Sequence, residues 1–144
     1  MIKKEDLRIG NSLLYCMQYD LQNPIKEDSC EWVVKKIDWQ DLRWLEESPK
    51  TFNKAYRGIT ISETILGANN FVFDGTNTGI WWLNLQTHYL EMISAADGWY
   101  PIYIQLPELS SEAEQRVGLE RIEYIHELEN LFHVLKGGKQ NIKL

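Results

Sequence analysis

The feature that most constrains the fold is a stripe of apolar side chains near the C-terminus. In the segment 119–136, LERIEYIHELENLFHVLK, large aliphatic and aromatic residues recur every three or four positions. This spacing places them on one side of an α-helix and leaves Glu120, Glu123, Glu127 and Glu129 largely for water. So wide a stripe is stable only against a sheet or other helices. The pattern therefore predicts a C-terminal helix across a sheet, with one alternative: residues 116–122 are extended and the helix starts at Glu123.

Strands precede this helix in the first third of the chain. The runs 13–19 and 32–38 are rich in branched and aromatic residues, and both faces of the first run are apolar, so it predicts a central strand. Asp38 can cap a helix over 39–47, ended by Pro49. We expect the residues after Pro49, up to Arg57, to form a loop.

The middle of the chain predicts one short helix and then an antiparallel meander. Thr60 and Glu63 have the spacing of a capping box, which predicts a helix ending near Ala68. From residue 71 the apolar residues alternate with a period of two, and Asp97-Gly98 predicts a tight turn. Pro101 has no amide hydrogen, so its strand should lie at an edge or be bulged.

These elements define the expected fold class, which is α+β. We expect a single domain spanning residues 1–144. Its core is a curled antiparallel sheet of about six strands, with the C-terminal helix packed across it and one or two short helices.

The N-terminus and the cysteines bear on the cellular compartment. MIKKEDLRIG lacks the apolar core of a signal peptide, and no stretch approaches the roughly 20 apolar residues of a membrane span. These observations predict a cytoplasmic protein without a membrane partner. In that compartment we expect Cys16 and Cys30 to be free thiols.

Charge is distributed unevenly along the chain. The formal net charge is −6, and residues 58–110 contain five acidic residues and no lysine or arginine. Such a segment cannot displace counterions from phosphates, but it would attract a basic protein surface. The simpler explanation is that buried strands lack long basic side chains, because charge asymmetry alone is a weak indication of a partner.

Tryptophan is abundant, with 6 in 144 residues, and several lie in the meander. Trp81 and Trp82 are adjacent, so in a strand they point to opposite faces and one of them should be exposed. Exposed tryptophan and tyrosine often anchor protein interfaces. A core covered on both sheet faces is an equally good explanation. The hypothetical partner-binding surface consists of Trp81, Trp82, Tyr89, Trp99, Tyr100, Tyr103, Asp74, Glu91 and Asp97.

A second class of function is nucleic-acid binding. The N-terminal half contains basic residues that could contact phosphates. Binding of this kind must weaken steeply with salt. The residues concerned are Lys35, Lys36, Arg43, Lys50, Lys54 and Arg57.

Evidence for catalysis is weak. His126 and His133 are seven residues apart, whereas metal-binding pairs on a helix favour a spacing of four. We therefore expect each histidine to lie at the helix surface or to be hydrogen-bonded. A metal-assisted hydrolase is the third hypothesis. Asn130 is expected to cap strand or loop backbone. The sequence has neither a glycine-rich phosphate loop nor a nucleophile-elbow serine, so we expect no catalytic residue, no metal and no cofactor.

Three segments resemble a known protein family. IEYIHELENLF at 122–132, LRIGN at 7–11 and ITISE at 59–63 are similar to signatures, in the same order, of a family of small proteins encoded by phages and mobile elements of Bacteroides-type bacteria. Glu127 and Glu129 stand where that family usually has glutamine. The resemblance implies a phage or prophage context and no particular activity.

Together these features predict a non-enzymatic protein that binds another macromolecule, first of all a host or phage protein with a basic surface. The acidic middle segment, the surplus of aromatic residues and the missing catalytic motifs support this prediction. The phage context makes an inhibitor of a host nucleic-acid-targeting defence system, similar to an anti-CRISPR protein, its sharpest form. Such a protein would act in the cytoplasm of the bacterial host.

Overall fold

The computed structural model describes residues 1–20, 29–75, 79–86, 88–106, 113–136 and 142–144. A 3₁₀ turn at Lys4–Asp6 precedes the regular elements. These are, in chain order, β1 (Ser12–Cys16), β2 (Trp32–Lys36), α1 (Trp39–Glu47), α2 (Pro49–Ala55), β3 (Tyr56–Arg57), α3 (Glu63–Ala68), β4 (Val72–Phe73), β5 (Ile80–Asn84), β6 (His88–Ala95), β7 (Gly98–Gln105), β8 (Gln115–Gly118) and α4 (Ile125–Lys136).

The α+β class is confirmed, with two antiparallel sheets among the described residues. The chain divides into two compact units. Unit 1 comprises Met1–Thr60 and Tyr124–Asn141, and unit 2 comprises Ile61–Glu123 and Ile142–Leu144. None of the helices in the described ranges is long and apolar enough to cross a membrane.

Unit 1 is built around a three-stranded sheet in which β1 is the central strand, as its two apolar faces predict. Tyr15 of β1 pairs with Val33 on β2 and with Tyr56 on β3. Helices α1 and α2 contribute Leu45 and Phe52 to its core, and the Phe52 ring stacks on Tyr56 with centroids 4.2 Å apart. Burial of these large side chains is the main stabilising term of the unit.

Local capping explains α1, as predicted. The Asp38 carboxylate accepts hydrogen bonds from the backbone N–H groups of Gln40 and Asp41, and the Asp41 carboxylate accepts one from the Asp38 N–H. This reciprocal arrangement satisfies N–H groups that the first turn leaves unpaired.

The expected loop after Pro49 is wrong, because that proline begins α2 rather than only ending α1. Proline suits the first turn of a helix, where its missing N–H is not needed. The new helix then buries Phe52 and Ala55 in the core.

The predicted capping box at Thr60 is also displaced. Helix α3 begins at Glu63, as expected, but its N-cap is Ser62, whose hydroxyl accepts a hydrogen bond from the Ile65 N–H. Thr60 instead forms an isolated β-bridge with Tyr124. Pairing with a distant segment has replaced the local cap.

Unit 2 contains the predicted meander, a five-stranded sheet in the order β4-β5-β6-β7-β8. The turn at Asp97-Gly98 joins β6 to β7, and Gly98 has a φ of +141°. A Cβ on this residue would lie 2.8 Å from the Ile122 carbonyl oxygen. Glycine is therefore required both by the backbone conformation and by the close approach of a neighbouring strand.

Of the two alternatives predicted for the strand of Pro101, an edge position or a bulge, the bulge is observed, because β7 lies between β6 and β8. Between the pairs Ile102–Gly118 and Trp99–Ile122, β7 has two intervening residues and the facing segment has three. One extra residue of this kind defines a β-bulge. It lies opposite Pro101, which has no N–H to give to a regular ladder.

The C-terminal helix is shorter than the apolar stripe suggested. Residues 115–118 form β8, an isolated bridge places Ile122 beside Trp99, and α4 begins only at Ile125. The extended alternative is therefore the observed one. Pairing with β7 satisfies backbone groups of residues 115–122 that a longer helix would have withdrawn from the sheet. Ser111 and Glu114 also have the spacing of a capping box, but Ser111 lies outside the described residues and Glu114 directly precedes β8.

The expected free thiols are wrong. Cys16 and Cys30 form a disulfide with a Cα–Cα distance of 5.3 Å. Cys16 ends β1 and Cys30 precedes β2, which pairs with β1 in antiparallel register. That pairing brings the two thiols together, although they are 14 residues apart in sequence.

Candidate functional site

The five-stranded sheet of unit 2 has two unlike faces. Side chains alternate between the faces along each strand, and directly paired residues share a face. Leu83, Leu90 and Met92 are buried and define the covered face. On that same face Trp81 packs near Gly67 of α3, so the helix forms part of its cover.

The opposite face carries large side chains that are mostly only partly buried. It includes Val72, which is 50% exposed, and Tyr100, which is 40% exposed. The rings of Trp82 and Tyr89 meet edge to face with centroids 5.8 Å apart. We call this surface the open face, and its central residues are Ile80, Trp82, Tyr89, Ile93, Tyr100 and Ile102.

One ion pair crosses the open face beside these apolar groups. The Arg116 guanidinium donates a hydrogen bond of 2.6 Å to the Glu91 carboxylate. Both side chains are partly exposed, so water screens the pair and its stabilisation is small. Its effect is to place a polar edge beside an apolar centre, as at many protein interfaces.

The structure separates the aromatic residues that the sequence grouped. Trp82, Tyr89 and Tyr100 lie on the open face together with Glu91. Trp81, Trp99 and Tyr103 lie on the covered face by strand register, and the Trp99 indole donates a hydrogen bond to the Ile61 carbonyl.

The two predicted acidic residues outside the strands lie at strand connections. Asp74 follows β4, and Asp97 is in the turn between β6 and β7, where its carboxylate accepts a hydrogen bond from the Tyr100 hydroxyl. The sequence-based hypothesis missed the aliphatic residues Ile80, Ile93 and Ile102. Strand alternation could have identified them, but only once the register of the meander was known.

Most of the proposed basic residues already have partners within unit 1. The Lys35 ammonium lies 2.6 Å from Asp41, and Lys36 lies 2.8 Å from Glu129. Arg57 holds its guanidinium over the Trp32 ring at 4.2 Å.

The remaining basic residues lie on the helices of the same unit. Arg43 pairs with Glu47 one turn along α1, and Lys50 and Lys54 are exposed on α2. Unit 1 as a whole contains twelve acidic and twelve basic residues. A phosphate-binding surface needs an excess of cations, which this unit does not have.

Unit 1 also contains a polar cavity of about 320 Å³. It lies between the 3₁₀ turn, the end of α2 with β3, and the first turn of α4. Its lining includes Asp6, Asn53, Arg57, Tyr124, His126 and Glu127, which come from distant parts of the sequence. No local sequence pattern indicates this cavity, because only folding brings these segments together.

His126 is buried at this cavity, with 2% of its surface exposed. Its ring stacks on the Tyr124 ring at an interplanar angle of 9°. The Tyr124 ring packs directly on Gly58, where a Cβ would lie only 2.4 Å from it. Nδ1 of His126 has no hydrogen-bond partner among the described residues. Burial lowers the pKa of His126, whereas the negative charges of Glu127, Asp6 and Glu129 act in the opposite direction.

The two histidines of α4 differ in burial. His126 is neither at the surface nor hydrogen-bonded through Nδ1, while His133, two turns along α4, is exposed. In the described ranges no three histidine, cysteine or acidic side chains converge as a metal site would require. Asn130 behaves as expected, because its amide donates a hydrogen bond to the Asp6 carbonyl oxygen at 2.8 Å.

The chain matches no family model, no curated protein and no solved structure. The open face and the cavity are the features of the described residues that bear on function.

Proposed function

We propose that this protein acts without catalysis, by binding another protein through the open face of unit 2. The observation that carries the proposal is a sheet face of large apolar and aromatic side chains that are mostly only partly buried in the chain itself. Contiguous apolar surface of this kind is typical of protein interaction sites. Trp82 and Tyr89 are the residue types that most often contribute strongly to binding energy.

Charge supports a basic partner. Unit 2 contains nine acidic and three basic residues, so the whole net charge of −6 belongs to it. Unlike charges on two approaching surfaces speed association and discriminate against acidic competitors. We infer that cationic side chains surround the apolar patch on the partner.

The resemblance to phage and mobile-element proteins gives the proposal a sharper form. Proteins that act on nucleic acids carry basic surfaces, because they must neutralise phosphates. An acidic, aromatic protein surface complements such a partner. We propose inhibition of a host nucleic-acid-targeting defence protein as the biological role.

Affinity capture with two matched variants tests the open face. The wild-type chain, Trp82→Ala and Trp39→Ala are each immobilised and exposed to lysate of a Bacteroides-type host, with and without nuclease. Trp39 is the control, because it is also a tryptophan, is 59% exposed and lies on α1 of unit 1. Near-ultraviolet circular dichroism verifies that each variant is folded.

We expect one stoichiometric protein that survives nuclease treatment and is retained by wild type and Trp39→Ala. Loss of a central tryptophan costs about 2 kcal/mol or more, which corresponds to roughly a 30-fold weaker complex for Trp82→Ala. Equal capture by both variants contradicts a role for the open face. Capture that disappears with nuclease points instead to nucleic-acid binding.

A further inference from the structure

The five-stranded sheet of unit 2 ends at β8, which among the described residues has a neighbouring strand on one side only. All four residues of β8 are exposed. The other edge, β4, is only two residues long and offers less backbone. An edge strand has N–H and C=O groups without ladder partners, and a strand of another chain can pair with them. β8 is therefore a second place, besides the open face, at which unit 2 can bind a protein.

The register shows which backbone groups of β8 point outward. In an antiparallel pair, the backbone groups of successive residues point alternately towards the partner strand and away from it. The Leu119 N–H donates to the Pro101 carbonyl oxygen at 2.9 Å, so Leu119, and with it Val117, bonds towards β7. The N–H and C=O groups of Arg116 and Gly118 therefore point away from β7. Both residues are exposed, so these groups face solvent.

The side chains of β8 leave this edge accessible. Edge strands in natural proteins are often blocked by charged side chains or proline. The one charged residue of β8 is Arg116, and its guanidinium is drawn onto the open face, 2.6 Å from the Glu91 carboxylate. Gly118 has no side chain, and a Cβ added to it would meet no described residue within 4 Å apart from its chain neighbours. Another strand can therefore approach the backbone closely.

Charge and position indicate what kind of strand fits. β8 lies between Glu114 and Glu120, which are both exposed, and unit 2 carries the whole net charge of −6. A basic segment complements these charges, whereas a second copy of the chain would bring two equally acidic units together. Gly118 pairs with Ile102 of the open face, so a strand added to β8 continues the surface that the proposed partner covers.

We propose that the basic partner of unit 2 adds an extended segment to β8 as a sixth strand of the sheet. This inference rests on the proposed function, because it takes the partner of the open face to be a protein. The backbone groups of Arg116 and Gly118 pair with the added strand, and its lysine or arginine side chains lie beside Glu114 and Glu120. Main-chain hydrogen bonds supply the affinity in this mode of binding, and the flanking charges supply selectivity.

Two hexapeptides with blocked ends test the proposal on the full chain: one alternates lysine and valine, and the other alternates glutamate and valine. Each is titrated at pH 7 while the backbone amide resonances of the isotope-labelled chain are followed by nuclear magnetic resonance. We expect the lysine peptide to shift the amide resonances of Arg116 and Gly118 and to bind at least about tenfold more tightly than the glutamate peptide. The absence of a shift at these two amides, or equal binding of both peptides, overturns the proposal.

A pair of variants locates the contact on the backbone. Gly118→Pro lacks the outward N–H, whereas Gly118→Ala keeps it and adds only a methyl group in open space. Proline is tolerated on an edge strand where its nitrogen faces solvent, so pairing with β7 should persist in both variants, which near-ultraviolet circular dichroism verifies. We expect Gly118→Pro to bind the lysine peptide at least about tenfold more weakly than wild type, and Gly118→Ala to bind it within about twofold.

Trp82→Ala separates this proposal from the proposed function. Pairing at β8 uses the backbone, so Trp82→Ala should bind the lysine peptide as wild type does, although it captures less of the partner. Equal binding of the peptide by Gly118→Pro and Gly118→Ala overturns strand addition at β8 and leaves the role of the open face standing. If the chain alone forms dimers in sedimentation equilibrium, and Gly118→Pro abolishes them, the edge belongs to a second copy and the proposal is likewise overturned.

Discussion

At the scale of single residues, Glu129 does not face water as the helical pattern predicted, because its side chain is only 9% exposed and links α4 to the sheet of unit 1. Its two carboxylate oxygens accept hydrogen bonds from the Ser12 N–H and hydroxyl at 2.7 and 2.6 Å and from Lys36 at 2.8 Å. Asn11 also donates to it at 3.3 Å. All of these partners are donors, so a carboxylate fits this position better than an amide.

Replacing Glu129 with glutamine should therefore destabilise the protein. In Glu129→Gln, an NH₂ group replaces one of the two carboxylate oxygens and meets groups that are themselves donors. A largely buried donor then has no acceptor, which costs about 1–3 kcal/mol. Urea unfolding at pH 7 measures the loss. Glu120→Gln is the matched control, because Glu120 is exposed, and its free energy of unfolding should change little. An equal loss in both variants would show that net charge, not this network, determines the effect.

His126 should make stability depend on pH. Burial lowers the pKa of His126 below its usual value near 6.5, so the unfolded chain takes up the proton first as the pH falls. Stability is therefore complete above about pH 6.5 and decreases as the pH drops from there towards the folded-state pKa.

The measurement is the free energy of unfolding between pH 7.5 and 5.5. We expect a decline in the wild type that is smaller in His126→Gln, whereas His133→Gln, altered at an exposed histidine, retains the wild-type slope. An identical slope in all three proteins would assign the pH dependence to other groups.

At the scale of elements, the disulfide joins the last residue of β1 to a residue just before β2. Cys16 is fully buried at the end of β1. Closing a loop of about 15 residues with a covalent bond stabilises a folded protein by roughly 3 kcal/mol, mainly by restricting the unfolded chain.

Reduction should lower the free energy of unfolding by about 2–4 kcal/mol. The test compares urea unfolding with and without a phosphine reductant, in the wild type and in the double variant Cys16→Ala, Cys30→Ala. The double variant should resemble the reduced wild type and should not respond to reductant. A wild type that is equally stable in both conditions contradicts the prediction.

Element boundaries show where local sequence information was sufficient. Helix α1 follows from Asp38 and its reciprocal bonds, all within four residues of one another. Helix α2 was missed because Pro49 can end one helix or begin another, and the burial of Phe52 decides between these roles. The start of α4 was missed in the preferred interpretation because the partners of residues 115–122 lie on β7.

At the scale of the whole molecule, charge is divided between the two units. Unit 1 has no net charge and unit 2 carries −6. Long-range attraction to a basic partner should therefore act through unit 2.

This division predicts how binding depends on salt. The association rate with the captured partner should fall about tenfold or more between roughly 50 and 500 mM sodium chloride, while the dissociation rate changes less, because salt screens the approach of unlike charges more than apolar contacts. Surface plasmon resonance separates the two rates. A salt-independent association rate would exclude a basic partner and leave an apolar one.

The sequence by itself determined the α+β class, the central position of β1, the capping of α1, the meander and the need for an edge or a bulge at Pro101. Each of these follows from side-chain periodicity or from the stereochemistry of one residue, which act over a few neighbouring positions. Only the tertiary structure decided the disulfide, the division of aromatic residues between two sheet faces and the cavity at His126. These depend on strand register and on contacts between residues far apart in the chain, which no local pattern specifies.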